Sequence, residues 1–293
     1  MNFDYEIITD TCSNLTKEQA EKYGVELMGF PYTINGEPHT DDPKEPTFQT
    51  KDFYELLKKK TDIKTSLINS SVIEEFFEPF LLAGKDIIYI CISGGISGTY
   101  KSACTAVKNM KEKYPERKIF VLDSLSGSYA QGILVLKTAK KRAEGADVEE
   151  AYKYASEIRY NIIHDFTIND LFFIKKSGRV SGIGAVIGSI AMIKPMFTLD
   201  KNGNAKVYSK VNGRKKAISL IWNNFIKNAD PKEADFISVV HGDCEEEAKP
   251  LVENIKKLYP TAEILYDYLT PLVGAHTGPG AIGILYVSKN KRD

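Results

Sequence analysis

Cysteine is scarce in this 293-residue chain, and net charge is absent. The four cysteines, Cys12, Cys91, Cys104 and Cys244, form no Cys-x-x-Cys pair. That excludes a zinc ribbon and a disulfide frame, and buried free thiols in a reducing compartment are expected. No two of the four histidines have metal-ligand spacing, so no metal site is expected. Lys+Arg and Asp+Glu both total 39, giving a formal charge of zero; the basic field that nucleic acid requires is missing. No apolar run reaches the roughly 18 residues of a membrane span, and the first residues carry neither a basic nor an apolar leader. A cytoplasmic location without a membrane span follows as an expectation. A phosphate cradle of the form Gly-x-x-x-x-Gly-Lys is also missing, which argues against a small-molecule kinase.

What is present is a repeated strand, hydroxyl-rich loop and helix. Ile87 to Ile92 are six consecutive apolar or aromatic residues rich in β-branched side chains, as in a strand buried on both faces. The loop Ser93-Gly94-Gly95-Ile96-Ser97-Gly98-Thr99 follows, and from Tyr100 the positions Tyr100, Ala103, Val107 and Met110 recur at helical spacing. Such a loop at the carboxyl end of a parallel strand aims backbone N–H groups and a helix dipole at an anion, and small hydroxyls donate without adding charge. Similar units begin at Tyr5–Ile8, leading into Asp10, and at Lys118–Leu122, leading into Asp123-Ser124. A fourth is read at Thr65-Ser66, ahead of a helix for which Ser71 and Glu74 suggest a capping box. In a parallel sheet these loops share one edge, so a crevice lined by hydroxyls is predicted there, with Asp10 and Asp123 at its margin. Asn35 to Pro46 reads as loop throughout.

From about Asn161 the pattern changes. Ile183, Val186, Ile187, Ile190 and Ile193 mark a helix so apolar that it is buried or faces an apolar ligand, and Lys194-Pro195 is read as ending it. Asp200-Lys201-Asn202-Gly203 is a hairpin signal between two strands. Helices through Ala217–Phe225 and Ala248–Leu258 then alternate with strands at Phe236, Ile264 and Ile282. The prediction is an α/β protein of two domains. Residues 1–160 form an α/β/α parallel-sheet domain, and residues 161–293 a two-layer α/β domain with a mixed sheet.

Two further strings carry chemistry. Gly182-Ile183-Gly184-Ala185-Val186-Ile187-Gly188 fails as a dinucleotide fingerprint, because its third glycine is one residue late and no strand precedes it. Gly95-Ile96-Ser97-Gly98-Thr99 approaches a nucleophile elbow without its closing glycine. A serine hydrolase or esterase using Ser97 or Ser93 with His276 is therefore the alternative reading. His276 lies in Gly274-Ala275-His276-Thr277-Gly278-Pro279-Gly280, a loop that would hold it by backbone geometry. Arg214-Lys215-Lys216 opens a helix where the dipole disfavours cations, so it is either solvated surface or a partner contact.

Six strings occur in order along nearly the whole chain. They are Thr65-Ser66, Ile92 to Tyr100, Asp123-Ser124, Ser177-Gly178-Arg179-Val180-Ser181, Lys194-Pro195 and His276-Thr277-Gly278-Pro279-Gly280. In this the sequence resembles the DegV family. The resemblance implies a two-domain protein that binds a long-chain fatty acid between its domains and serves as the fatty-acid-binding subunit of a bacterial fatty acid kinase. On that reading it takes part in phospholipid metabolism as a lipid carrier rather than an enzyme, with the lipid as its ligand and no cofactor. Carried over by position, the carboxylate-binding residues fall on Thr65, Ser66, Ser93 and Gly94, with Ser97 in the same loop. The residues linked to the kinase partner and phosphoryl transfer fall on Arg214 and His276. The sequence departs from the family pattern at Ser93-Gly94-Gly95, where two serines are usual before glycine, and at Leu67-Ile68, where Gln-Pro is usual. Ile183, Val186, Ile187 and Ile190 are the candidate tunnel wall.

Overall fold

The computed structural model describes residues 3–42, 50–180 and 192–293. The strand β1 (Tyr5–Asp10) is buried along its whole length. It occupies an interior place in a four-stranded parallel sheet with β2 (Val25–Met28), β6 (Asp86–Cys91) and β7 (Ile119–Asp123), in the order β2-β1-β6-β7. The chain leaves β1 for β2 on one side through α1 (Lys17–Tyr23) and returns to β6 on the other. Strand order therefore reverses between β1 and β6, and their carboxyl ends diverge into a crevice.

A second sheet has six strands: β8 (Ile162–Thr167), β9 (Ile193–Leu199), β10 (Ala205–Asn212), β11 (Phe236–His241), β12 (Glu263–Tyr268) and β13 (Ile282–Val287). Their order is β10-β9-β8-β13-β11-β12, and only the β11–β12 pair is parallel. Between the two sheets lies α5 (Ser128–Ala143), which packs on β1 and β6 and also on β8, β11 and β13. Every residue from Ser128 to Ala139 is buried. With a sheet on each side, this stretch of the helix has no outward face. One continuous cluster, including Ile7, Ile88, Leu134, Phe197 and Leu285, joins both sheets through this helix. Helices α8 (Arg214–Asn228) and α9 (Glu245–Leu258) cover the far face of the mixed sheet. We propose the division at residues 160 and 161 as a topological one. It falls in the 3-10 turn Arg159–Asn161, after α6 (Val148–Ile158) and before β8.

Four local expectations are corrected. Thr65 does not follow a strand of the parallel sheet. It ends β5 (Ile63–Thr65), which pairs antiparallel with β3 (Phe30–Ile34) in a separate three-stranded sheet completed by β4 (Glu37–Asp41). Part of the segment read as loop is thus β4, joined to β3 by Asn35 and Gly36, both at positive φ (51° and 87°), as a two-residue hairpin turn demands. The helix α3 (Ser70–Leu82) starts at Asn69 without a side-chain cap, so Ser71 and Glu74 form no capping box. Ile193, read as the last apolar position of a helix, instead opens β9, and Lys194-Pro195 lies inside that strand, where Pro195 pairs with Lys210 of β10; the ladder to β8 registers only Met196 and Phe197, so proline's missing donor breaks no registered pair there. The predicted tunnel-wall residues Ile183, Val186, Ile187 and Ile190 lie outside the described residues.

Candidate functional site

The crevice at the switch point opens into a cavity of about 500 Å³ between the two sheets. One wall is Cys12, after β1, and Ile92 with Gly94–Gly98, after β6. The other is Phe166, Leu199, Val240 and Leu285 of the mixed sheet, and Leu272 and Val273 close it from α10 (Pro271–Thr277). The size lies within the range of small-molecule sites, and the lining is mostly apolar.

Asp10 shapes the crevice from beneath. Its carboxylate is fully buried and accepts from the N–H groups of Cys12 (3.1 Å) and Ile92 (3.0 Å), from Gln131 Nε2 (3.1 Å) and from the Tyr89 hydroxyl (3.3 Å). It so ties together the two residues on which β1 and β6 enter the cavity wall. Burial pushes its pKa up to about 6, against the pull of those donors.

The polar end of the cavity is built from three segments distant in sequence. Thr65 Oγ1 and His276 Nε2 are 2.8 Å apart, and Ser66, Leu67, Ser97, Arg179 and Thr277 line the same cavity. Ser97 Oγ lies 3.0 Å from Thr99 Oγ1 and accepts from the Thr99 N–H at 3.2 Å. Thr99 Oγ1 also accepts from the Ile68 N–H at 3.3 Å, fastening the segment after β5 to the start of α4 (Thr99–Lys113). Burial, and then the cationic neighbours Arg179 and Lys176, hold the His276 pKa down to about 4. The imidazole is therefore neutral at pH 7, able to donate through one nitrogen and accept through the other.

His276 is not held by a glycine loop. It sits in the last turn of α10, and Gly278 ends that helix at φ 73°, where a Cβ would stand 2.2 Å from the Phe173 ring. Packing of α10 against α7 (Leu171–Ser177) thus sets the position of the histidine.

The structure brings Thr65, Ser66, Gly94, Ser97 and His276 to one cavity and leaves out two other predicted residues. Ser93 is fully buried and does not line it; its hydroxyl donates to Gly203 O at 2.9 Å and accepts from the Gly95 N–H at 3.1 Å. Gly94 lines the cavity, but its N–H donates to the Asp123 carboxylate at 3.1 and 3.2 Å rather than standing free for an anion. Arg214 lies away from the cavity wall, paired with Glu247 through Nε (3.2 Å to each oxygen) and a terminal nitrogen at 2.7 Å. His276 hydrogen-bonds neither Ser93 nor Ser97, so the nucleophile–base pair of the hydrolase reading is not assembled.

His164, which no sequence motif marks, also lines the cavity. Its Nε2 lies 3.3 Å from both the N–H and the carbonyl of Gly127 at the start of α5, and burial lowers its pKa to about 3. The available signal was the alternation His164-x-Phe166, which puts both side chains on one face of β8. Among the described residues no helix is long and apolar enough to cross a membrane, and no group of three or more His, Cys, Asp or Glu side chains is placed to hold a metal.

A family model described as an uncharacterised protein of the DegV family matches residues 4–289. The DegV domain-containing protein CPE0026 of Clostridium perfringens is 31% identical over 285 residues, covering 97% of this chain and 98% of that one. Among solved structures, DegV from Bacillus subtilis, described as a fatty acid binding protein, has 28% identity and a TM-score of 0.85, covering 98% of this chain and 100% of that one. A stearic acid-binding protein from Eubacterium ventriosum shares the fold at 22% identity and a TM-score of 0.83, covering 97% and 98% of the two chains. With a family match across almost all of its length and relatives collinear from end to end, this chain belongs to the DegV family.

Proposed function

We propose that the cavity holds one long-chain fatty acid, its carboxylate at the Thr65–His276 end, and that the chain presents this carboxylate to a separate ATP-dependent fatty acid kinase subunit. The observation that carries the reading is an apolar cavity of about 500 Å³ whose polar end is a neutral Thr65–His276 pair flanked by Ser66 and Ser97. The Bacillus subtilis relative, described as fatty acid binding, supports it.

The energetics divide between tail and head. Burying about 15 methylenes at ~0.8 kcal/mol each offers roughly 12 kcal/mol before the costs of association are subtracted. The head must replace water around a carboxylate, because an unpaired charge in an apolar cavity is costly. Hydroxyl donors at Ser66 and Ser97, with the one hydrogen that the Thr65–His276 pair leaves over after its mutual hydrogen bond, meet that need by charge-assisted hydrogen bonds.

In the presented state a carboxylate oxygen attacks the γ-phosphorus of ATP held by the partner. The new O–P bond gives an acyl phosphate, and ADP leaves with the electrons of the broken bond. His276 touches the carboxylate in this reading, and Arg214, outside the cavity, is assigned to the partner contact. The test is titration of lipid-stripped protein with saturated fatty acids of about C14–C18, beside the alcohol of equal length. One-site binding of the acid, with the alcohol at least tenfold weaker, is expected. Equal affinity for acid and alcohol would remove the headgroup assignment, and no binding of either would remove the carrier reading.

A further inference from the structure

The turn between β9 and β10 belongs to the mixed sheet but ends inside the loops of the parallel sheet. Asp200 organises it: its Oδ1 accepts from the N–H groups of Asn202 and Asn204, each at 2.9 Å, and its carbonyl accepts from the Gly203 N–H at 2.9 Å. Lys201, Asn202 and Asn204 are exposed, whereas Gly203 is buried. It is inserted so tightly that a Cβ there would stand 2.0 Å from Ser93 Oγ and 3.0 Å from Leu125 Cα. On the facing loop, a Cβ at Gly95 would stand 2.5 Å from Gly203 O. Two glycines thus permit a backbone-to-backbone approach, and the Ser93 hydroxyl closes it with a 2.9 Å hydrogen bond to Gly203 O.

The base of this hairpin is held more broadly than its tip. Tyr208 donates to the buried Asp165 carboxylate at 2.6 Å, and Thr167 Oγ1 donates to Pro195 O at 2.8 Å. The ladder from β9 to β8, however, has only two registered pairs, Phe166–Phe197 and Thr167–Met196. Beyond them the tip spans the seam between the sheets. Its flanks, Leu199 and Ala205, line the cavity opposite Gly94–Gly98.

We propose that this turn is a latch over the lipid cavity, and that Ser93 is a positioning residue which holds the latch shut rather than a ligand of the carboxylate. The proposal rests on the fatty-acid reading for what passes through the seam. A gate and a ligand differ in kinetic signature. Loss of a gate contact populates the open form and speeds entry and exit together, while loss of a ligand contact speeds exit alone.

The experiment compares Ser93→Ala and Asp200→Ala with the parent chain by amide hydrogen exchange and by stopped-flow binding of a fluorescent C16 fatty acid. Asp200 loosens the turn without lining the cavity, so it reports on the latch alone. Removing one neutral buried hydrogen bond is expected to raise both the association and dissociation rates about three- to tenfold, with Kd changed less than twofold. Asp200→Ala should also speed amide exchange across residues 94–97, which it does not touch. A Ser93→Ala variant that dissociates faster but associates at the parent rate would overturn the latch and make Ser93 a headgroup ligand. Unchanged exchange at residues 94–97 in Asp200→Ala would overturn it as well, whatever the lipid result. A parent chain that takes up no fatty acid would instead overturn the carrier reading, and the latch would then stand or fall on the exchange data.

Discussion

Thr65 and His276, 211 positions apart, meet at 2.8 Å in the wall of an apolar cavity. One ends a short strand of the small antiparallel sheet and the other lies in the last turn of a short helix, so the contact exists only where that helix packs against that strand. Replacing Thr65 by Val keeps the shape and removes the hydroxyl. Affinity for a C16 fatty acid should fall about tenfold or more, the value of one hydrogen bond to a charged group, while stability falls by only about 1 kcal/mol. Calorimetric titration beside a thermal melt checks both. Unchanged affinity would move the headgroup elsewhere.

Gly278 sets where His276 stands. It holds φ 73° and ψ 175°, a region open to glycine alone, with the Phe173 ring 2.2 Å from any added Cβ. Gly278→Ala should therefore cost about 2–4 kcal/mol in chemical denaturation, combining backbone strain with overpacking.

The acid dependence of stability has two opposing parts. Burial lowers the pKa of His164 to about 3 and of His276 to about 4. The folded state thus refuses protons that the unfolded chain accepts below about 6.5. The stability this represents is complete above that pH and is lost as pH falls. Asp10, Asp41 and Asp165 behave oppositely: burial raises each to about 6, so their destabilisation grows as pH rises from about 4 to 6. The melting temperature of the parent chain should vary little between pH 4.5 and 6.5. His164→Phe removes one of the histidine contributions, and the variant should melt several degrees higher at pH 4.5 than at 6.5. A melting profile parallel to that of the parent would contradict the assignment.

Arg214 belongs to a different surface from the cavity. Paired with Glu247 at 2.7 Å, it is not among the residues that line the cavity. Arg214→Ala should leave fatty acid affinity within twofold and lower kinase-dependent acyl phosphate formation at least tenfold, as read by trapping the product with hydroxylamine. Loss of lipid binding would contradict that division of labour.

The parallel strands were legible because both their faces are buried, which leaves unbroken runs such as Ile87–Ile92. The Ser/Gly loop after β6 was legible for the same local reason. β4 was not: Glu37-Pro38-His39-Thr40-Asp41 is a polar edge strand, and its turn signal Asn35-Gly36 sat among so many turn residues that it read as more loop. The candidate site was legible as residue types rather than as partners. Nothing near Ser93 announces that its hydroxyl is committed to Gly203, 110 positions away, nor does anything near Gly94 reveal Asp123 beneath its N–H. The hydroxyl-rich loops looked equivalent in sequence. Tertiary packing decides which hydroxyl faces the cavity and which fastens a neighbouring loop.

Native mass spectrometry of the protein as purified from a bacterial host tests whether the cavity carries a fatty acid. A single added mass near one equivalent is expected, released on denaturation as a fatty acid of roughly C14–C18, the span for which methylene burial supplies the affinity. A clean mass of the bare chain that persists after incubation with such acids would contradict it.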